Sequence, residues 1–205
     1  MLRLYPRLGT RFYEGKIMHF YTADTHFLHR NILKFCNRPF ADINEMNEAL
    51  IYNWNKVVSE DDDVHVVGDF AFCGTLEDTK TIFQRLKGRK HLYVGNHDAL
   101  ALELEQHNPG SWASIADFGK EVVHHNQRIV ICHYPISHWH WCYKNTWNIY
   151  GHVHGGYTAP GKSVDVGVDC WKYTPVSFFK LKEKMDTLEN VYAIPKEKQW
   201  DKTEQ

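Results

Sequence analysis

Short apolar runs alternate with amphipathic stretches in the first half of the chain. Residues 17–23, 63–67 and 91–94 are each short and mostly apolar, which predicts buried strands. Between them, apolar residues recur at helical spacing after Asp42 and again after Thr75, two residue types that cap helices well. The alternation of strand and helix predicts an α/β fold.

The second half follows a different order. A helix is predicted over 99–107, a hairpin over 121–132, strands over 147–150 and 163–168, and a last helix after Ser177. Residues 1–16 are basic and aperiodic, and residues 188–205 are charged. We therefore expect an N-terminal extension (1–16), one domain (17–187) and a peripheral tail (188–205).

Composition narrows the class of protein. The chain has 205 residues and a formal charge of -1, which argues against holding extended duplex nucleic acid or a membrane by bulk positive charge. It contains no apolar run long enough for a membrane span and no secretory leader. Its five cysteines are scattered without a C-x-x-C pair. These features predict a soluble, cytoplasmic protein with reduced cysteines, monomeric or homodimeric.

Histidine is the unusual residue, with 14 copies. Metal-type ligands follow the predicted strands at their carboxyl ends, where ligands bind in open α/β sheets. They are Asp24, His26, Asp69, Asn96, His97, His133, His152 and His154. Carboxylate, amide and imidazole donors without thiolate suit Mn, Fe or Zn, and the set is too large for one ion.

The individual motifs differ in specificity. Asp24-Thr-His26 occurs by chance in many chains, and Gly68-Asp69 is as often a plain turn. Gly95-Asn-His-Asp98 offers more polar side chains than a turn needs, and Gly151-His-Val-His154 puts two imidazoles on one side of an extended segment. Together, in this order, they indicate a metal site.

The ordered set resembles the calcineurin-like metallophosphoesterase family, whose signature is D-x-H, G-D, G-N-H-[DE], H and G-H-x-H. The resemblance covers residues 17 to about 180. It is closest to small, uncapped bacterial and phage-type members, which share the run from Asp24 through Phe35-Cys-Asn-Arg38-Pro-Phe40 and the run Val166-Gly-Val-Asp169. It implies a four-layer α/β/β/α sandwich.

The resemblance also implies two divalent metal ions, with Mn as the first choice and Fe, Zn or Ni as alternatives. It assigns Asp24, His26, Asp69 and His154 to the first ion, and Asp69, Asn96, His133 and His152 to the second. Asp69 would bridge the pair. His97 matches a family position that is not a ligand and lies near the leaving-group oxygen.

These assignments imply a phosphoric ester hydrolase. A hydroxide that bridges two dications would attack a small phosphomonoester or phosphodiester, possibly a nucleotide, in line with the leaving group. Asp69 and His97 are the expected catalytic residues, with His97 donating a proton to the leaving alkoxide. The alternatives are a nuclease or end-processing enzyme of the same fold, and a non-catalytic scaffold that binds metal.

Residues that contact substrate are less clear from the sequence. Asn96 and His29 are expected to contact a phosphate, whereas Arg38 fits a loop salt bridge better. Trp139 and Trp141 lie between two candidate ligands, so they either stack on an aromatic leaving group, or cover the edge of the fold or form an oligomer contact. His19, His65, His91, His124 and His125 show no partner pattern and are expected to be structural.

Overall fold

A computed structural model describes residues 17–193. The predicted extension (1–16) lies outside the described residues, as does most of the predicted tail. The described part contains five α-helices: α1 (Ile32–Phe35), α2 (Ile43–Val57), α3 (Leu76–Arg85), α4 (Ala99–His107) and α5 (Phe178–Asp186). Its strands are β1 (His19–Thr22), β2 (Asp63–Val66), β3 (Arg89–Tyr93), β4 (Ser114–Ala116), β5 (Gly119–His124), β6 (Gln127–Cys132), β7 (Trp147–Tyr150), β8 (Ser163–Asp165) and β9 (Val176–Ser177).

The strands form two mixed sheets. The first has the order β4-β3-β2-β1-β9, in which β1 to β4 run parallel and β9 is antiparallel to β1. The second has the order β5-β6-β7-β8, in which the predicted hairpin β5–β6 is antiparallel and β6, β7 and β8 are parallel. The predicted α/β class is confirmed.

Helix caps explain where the main helices begin. The Asp42 carboxylate accepts the backbone N–H groups of Asn44 and Glu45 at the start of α2. Thr75 and Asp78 form a reciprocal capping box at the start of α3. Each cap satisfies backbone donors that have no partner inside the helix, so the predicted helix starts are confirmed.

Two apolar cores show how the two sheets and the helices pack in layers. In the first, Val64, Val66 and Leu92 of the five-stranded sheet pack with Leu50 and Trp54 of α2. In the second, the opposite face of that sheet packs against the other sheet and α5. Its members include Tyr21, Tyr93, Ile129, Ile131, Ile149, Leu181 and Met185. The two sheets therefore lie face to face, and helices cover the other face of the first.

Some elements are too short for sequence periodicity to detect. These are α1, β4 and β9, of four, three and two residues. Leu188, in the predicted tail, packs against the core between the sheets. Within residues 17–193, none of the helices combines the length and apolarity that a membrane crossing needs.

Candidate metal centre

The candidate ligands converge on one edge of the two sheets. Because β1, β2 and β3 are parallel neighbours, the turns that follow them, with Asp24, Asp69 and Asn96, lie side by side. In the second sheet, His133 and His152 follow the parallel neighbours β6 and β7. The fold thus brings together ligands that are up to 130 residues apart in the chain.

The backbone at these positions is unusual. Asp24, His26, Asp69, His152 and His154 all have positive φ, between 47° and 71°. A non-glycine residue in this left-handed region carries strain of about 1–3 kcal/mol, and such residues cluster at functional sites. Five of the seven ligand positions implied by the family resemblance are in this strained conformation.

The ligands form two adjacent groups. Asp24, His26 and His154 each offer one donor atom within 4.8 Å of the others, and so do Asp69, His133 and His152. Apart from Asp69, which the family resemblance places in both sets, each group contains residues from one of the two ligand sets that the resemblance implies. Asn96 joins the second group, since its Oδ1 lies 3.2 Å from His133 Nε2.

Asp69 lies between the two groups. Its Oδ2 is 3.5 Å from His26 Nε2 and also 3.5 Å from His133 Nε2. Burial would raise the pKa of this carboxyl, but the hydrogen bond and charge of His133 outweigh burial and lower the pKa to about 2. Asp69 is therefore an anion that faces imidazoles of both groups.

Two glycines make this close packing feasible. A Cβ on Gly68 would lie 2.3 Å from His133 Nδ1, and a Cβ on Gly95 would lie 2.4 Å from Asp69 Oδ1. Neither position has room for a side chain, and Gly68 also has φ +82°. The glycines of the G-D and G-N-H-D motifs are thus required by the approach of the ligand side chains.

Outer hydrogen bonds orient two of the imidazoles. His133 Nδ1 lies 2.8 Å from the Val67 carbonyl oxygen, and His154 Nδ1 lies 2.8 Å from Asp169 Oδ2. Such partners fix which ring nitrogen carries the proton and leave Nε2 for a metal ion. The Asp169 carboxylate in turn accepts two hydrogen bonds from Arg38, both 2.8 Å long.

Arg38 is a buried cation, 4 % exposed. Besides Asp169, its guanidinium donates to the carbonyl oxygens of Thr25 (3.0 Å) and Asp24 (2.7 Å). The structure therefore places Arg38 in a salt bridge behind the ligands, the arrangement that the sequence favoured over a phosphate contact. The sequence assigned no role to Asp169, although it lies in a run that carries the family resemblance.

Buried carboxylates hold the ligand loops. Asp24 is fully buried, accepts the His152 N–H at 2.9 Å, and has a pKa raised to about 7 by burial. The Asp98 carboxylate accepts the backbone N–H groups of Asp69, Phe70 and Gly95, at 2.7–2.9 Å. Asp98 thus ties the turn after β2 to the turn after β3.

His97 and His29 lie beside the first ligand group. Their rings are 5.6 Å and 5.4 Å from the His26 ring. The His97 backbone N–H donates to Asp69 Oδ1 (2.8 Å), and its ring contacts Phe72 at 4.4 Å. His97 therefore borders the site without belonging to either donor group, as the sequence expected.

The structure does not bring Trp139 and Trp141 to this site. Trp139 is 7 % exposed and donates its indole N–H to the Thr146 carbonyl. The Trp141 ring lies 4.5 Å from the Arg128 guanidinium. Arg128 is near the start of β6, whereas His133 follows the opposite end of that strand. The tryptophans instead cover the outer side of the second sheet.

The structural histidines are also clustered, at the opposite end of the strands. His19 Nδ1 lies 3.1 Å from His65 Nε2, and the His19 and His124 rings stack at 3.8 Å. His91 stacks on His65 at 4.9 Å. The sequence shows no partner pattern for these histidines, and the structure adds that they contact one another between the two sheets.

Comparison with known proteins gives relatives of unassigned function. No protein-family model matches the chain. "Uncharacterized protein MJ1445" of Methanocaldococcus jannaschii is 31% identical over 173 residues, which cover 79% of this chain and 89% of that protein. The "Gene 66 protein" of Mycobacterium phage L5 is 31% identical over 80 residues, 38% of each chain.

A solved structure is also similar. The crystal structure of "the Protein of Unknown Function AQ665 from Aquifex aeolicus" matches with a TM-score of 0.65 and 25% identity, over 82% of this chain and all of that one. Taken with the extent of the match to MJ1445, this shows a mixed α/β domain with relatives beyond one organism. The chain belongs to the family of the M. jannaschii protein MJ1445.

Proposed function

We propose that this protein is a dinuclear metal-dependent phosphoesterase of the calcineurin-like metallophosphoesterase family. The observation that carries the proposal is the position of Asp69 Oδ2, 3.5 Å from His26 Nε2 and 3.5 Å from His133 Nε2. These imidazoles belong to two separate donor groups. A carboxylate between two such groups is suited to bridge two cations, because its oxygens can serve both.

The donor chemistry fits divalent cations. The groups contain carboxylates, imidazoles and the Asn96 amide without thiolate, a set that suits Mn, Fe or Zn. The outer partners of His133 and His154 leave Nε2 of each ring as the donor. His26 Nδ1 is buried and has no hydrogen-bond partner among the described residues, so His26 is not committed to another contact on that side.

The metal ions, when bound, would supply Lewis-acid stabilisation of the phosphoryl oxygens and lower the pKa of water. The protein's own residues have two further tasks. Asp69 holds the His97 main chain through its N–H, and the Phe72 ring limits where the His97 ring can lie. Placed at the border of the ligand groups, His97 donates a proton to the departing oxygen.

The four-layer α/β/β/α arrangement is part of the same proposal. Helices, the five-stranded sheet and the four-stranded sheet would be three of the layers, and α5 would close one edge of the core between the two sheets. In support, α5 shares its apolar core with the second sheet, and the Phe178 ring stacks on Trp147 at 5.6 Å.

The experiment measures bound metal and ester hydrolysis in two matched variants, Asp69→Asn and Asp61→Asn. Metal-stripped protein is supplied with Mn and assayed against phosphomonoesters, phosphodiesters, cyclic nucleotides and oligonucleotides. Asp69→Asn keeps an acceptor for the His97 N–H, but it is expected to lower bound Mn from two ions toward one or none and to abolish turnover. The exposed Asp61 provides the control, as Asp61→Asn should keep both.

Two results would contradict the proposal. One is an Asp69→Asn protein that retains two ions and near-normal turnover. The other is a wild-type protein that binds Mn and hydrolyses none of the esters, which would favour a metal-binding scaffold. Cleavage restricted to oligonucleotides would favour the nuclease alternative.

A further inference from the structure

We propose that the substrate's leaving group carries a planar aromatic ring, such as a nucleobase, which stacks on Phe35 beside His29 and Phe72. This inference rests on the proposed phosphoesterase function and names its substrate class. It puts the aromatic subsite on the side of α1, whereas the tryptophans between His133 and His152 lie elsewhere.

The first observation is the exposed side chain of Phe35, which lies beside His29. It is 74 % exposed, the most exposed of the large hydrophobic side chains in the described part of the chain. It is the last residue of α1, the helix that begins three residues after His29. Single exposed apolar residues are common on protein surfaces, so the exposure of Phe35 alone does not indicate a binding site. The aromatic rings next to Phe35 are therefore needed as a second observation.

The second observation is a continuous arc of rings from Phe35 to the candidate metal centre. Phe35 is 6.2 Å from the His29 ring, and His29 is 4.9 Å from Phe72, both in edge-to-face geometry. Phe72 is 4.4 Å from His97. Edge-to-face rings hold one another in place, so this arc presents a fixed aromatic surface.

The arc of rings extends outward from His97, the proton donor of the proposed reaction. His97 borders the first ligand group, and a proton donor must lie beside the oxygen that departs. A leaving group that departs toward His97 meets Phe72 first and Phe35 further out. A ring joined directly to the ester oxygen would therefore contact Phe72, and a base separated by a sugar would reach Phe35.

His29 adds a polar element to this surface. It is 8 % exposed, and its Nδ1 is buried without a hydrogen-bond partner among the residues that the structure describes. The ring is thus held by aromatic contacts with Phe35, Phe72 and His26. This arrangement makes His29 a positioning residue for the aromatic side chains, in addition to the phosphate contact that the sequence suggested.

The test uses pairs of ligands that differ only in the ring. Binding to the Mn-loaded protein is measured by calorimetry for AMP against ribose 5-phosphate, and for phenyl phosphate against methyl phosphate. Base stacking on an aromatic side chain is worth about 1–3 kcal/mol, so AMP should bind about 5- to 150-fold more tightly than ribose 5-phosphate. Phe35→Ala should remove that preference, while Phe35→Trp should keep it.

Phe118→Ala is the matched control, since Phe118 is another exposed phenylalanine, 67 % exposed. It should leave both preferences unchanged. A preference for phenyl phosphate that survives Phe35→Ala, with none for AMP, would assign the subsite to Phe72 and a simple aryl group and would overturn the role of Phe35. Equal binding within both pairs would overturn the proposal altogether.

Binding of inorganic phosphate distinguishes a failure of the aromatic subsite from a failure of the phosphoesterase function on which that subsite rests. If phosphate and methyl phosphate bind in a Mn-dependent way but neither ring adds affinity, only the aromatic subsite fails. If the Mn-loaded protein binds no phosphate at all, the phosphoesterase proposal fails, and the subsite fails with it.

Discussion

Acid should destabilise this protein through the histidine cluster between the sheets. His65 is 4 % exposed and His124 is 8 % exposed. Burial, followed by neighbouring histidines, lowers the pKa of His65 well below 6.5, and burial lowers the pKa of His124 to about 3. Both imidazoles are therefore neutral in the folded protein under mildly acidic conditions.

The groups around this cluster do not compensate for added protons. The Asp63 carboxylate raises the pKa of His124 by less than burial lowers it, and it is already paired with Arg89 at 2.8 Å and with His91 at 3.1 Å. His65 Nδ1 and His124 Nδ1 contact the hydroxyls of Tyr93 and Tyr21. His19 and His125 face the cluster and oppose its protonation further.

The sign and size of the effect follow from proton linkage. In the unfolded chain each histidine titrates near pH 6.5, so below that pH the unfolded state binds more protons and the free energy of unfolding falls. At pH 5.5 the neutral His124 imidazole, with its pKa of about 3, lowers that free energy by about 1.4 kcal/mol, and His65 changes it in the same direction. The loss continues until the pH reaches the folded-state pKa.

Urea denaturation at pH 7.5 and 5.5 measures how far the free energy of unfolding falls between these two pH values. Unfolding is monitored by tryptophan fluorescence in the presence of a chelator. His124→Phe keeps a ring in the stack but cannot titrate, so it should lose about 1.4 kcal/mol less than wild type between the two pH values. Histidines outside the cluster contribute equally in both proteins and cancel, and His65 keeps the burial that is the first cause of its lowered pKa. His107→Gln, at an exposed histidine, is the control and should match wild type. If the free energy of unfolding falls as far in His124→Phe as in wild type, His124 is not a neutral imidazole in the folded protein at pH 5.5.

Two further predictions concern the candidate site and the tryptophans. His97→Gln should keep both metal ions and slow hydrolysis by about 10²–10⁴-fold, with a smaller loss for nitrophenyl esters, which need less protonation; loss of metal would instead make His97 a ligand. Trp139→Ala should lower the free energy of unfolding by about 3–5 kcal/mol because the ring is buried, while Trp141→Ala should cost far less and neither should weaken AMP binding selectively. Selective loss of AMP binding in either variant would assign the stacking on an aromatic leaving group to these tryptophans.

The convergence of the candidate ligands could be predicted from sequence because each follows a strand. An apolar run that ends in Gly-Asp or Gly-Asn-His places its polar residues at the sheet edge, whatever the details of the fold. Parallel pairing of β1, β2 and β3 then brings the edges together, as the observed registers show. No such rule applied to Trp139 and Trp141.

The segment between β6 and β7 has no periodicity, so its path depends on tertiary contacts. It folds along the outer side of the second sheet, where His140 contacts Glu121 and the Trp141 ring lies over Arg128. The histidine cluster could not be predicted from the sequence for a related reason. His65 and His91 become neighbours only through strand register, and His124 reaches them only because the second sheet packs on the first.

The buried ion pair of Arg38 and Asp169 shows how the fold holds strained ligands. Replacing such a pair with apolar residues is often neutral for stability, so stability alone is a weak reason for it. Its geometry suggests a different role, since Arg38 binds the carbonyl oxygens of Asp24 and Thr25 while Asp169 binds His154 Nδ1.

One guanidinium thus holds the main chain of the first ligand loop and, through Asp169, the ring of the last ligand. Asp24 and His154 both have positive φ, a conformation that persists only where surrounding contacts enforce it. Lysine offers a single ammonium group without the planar fork, and so it could not make these four contacts at once. The pair therefore acts mainly on the relative positions of two candidate ligands that are 130 residues apart in sequence.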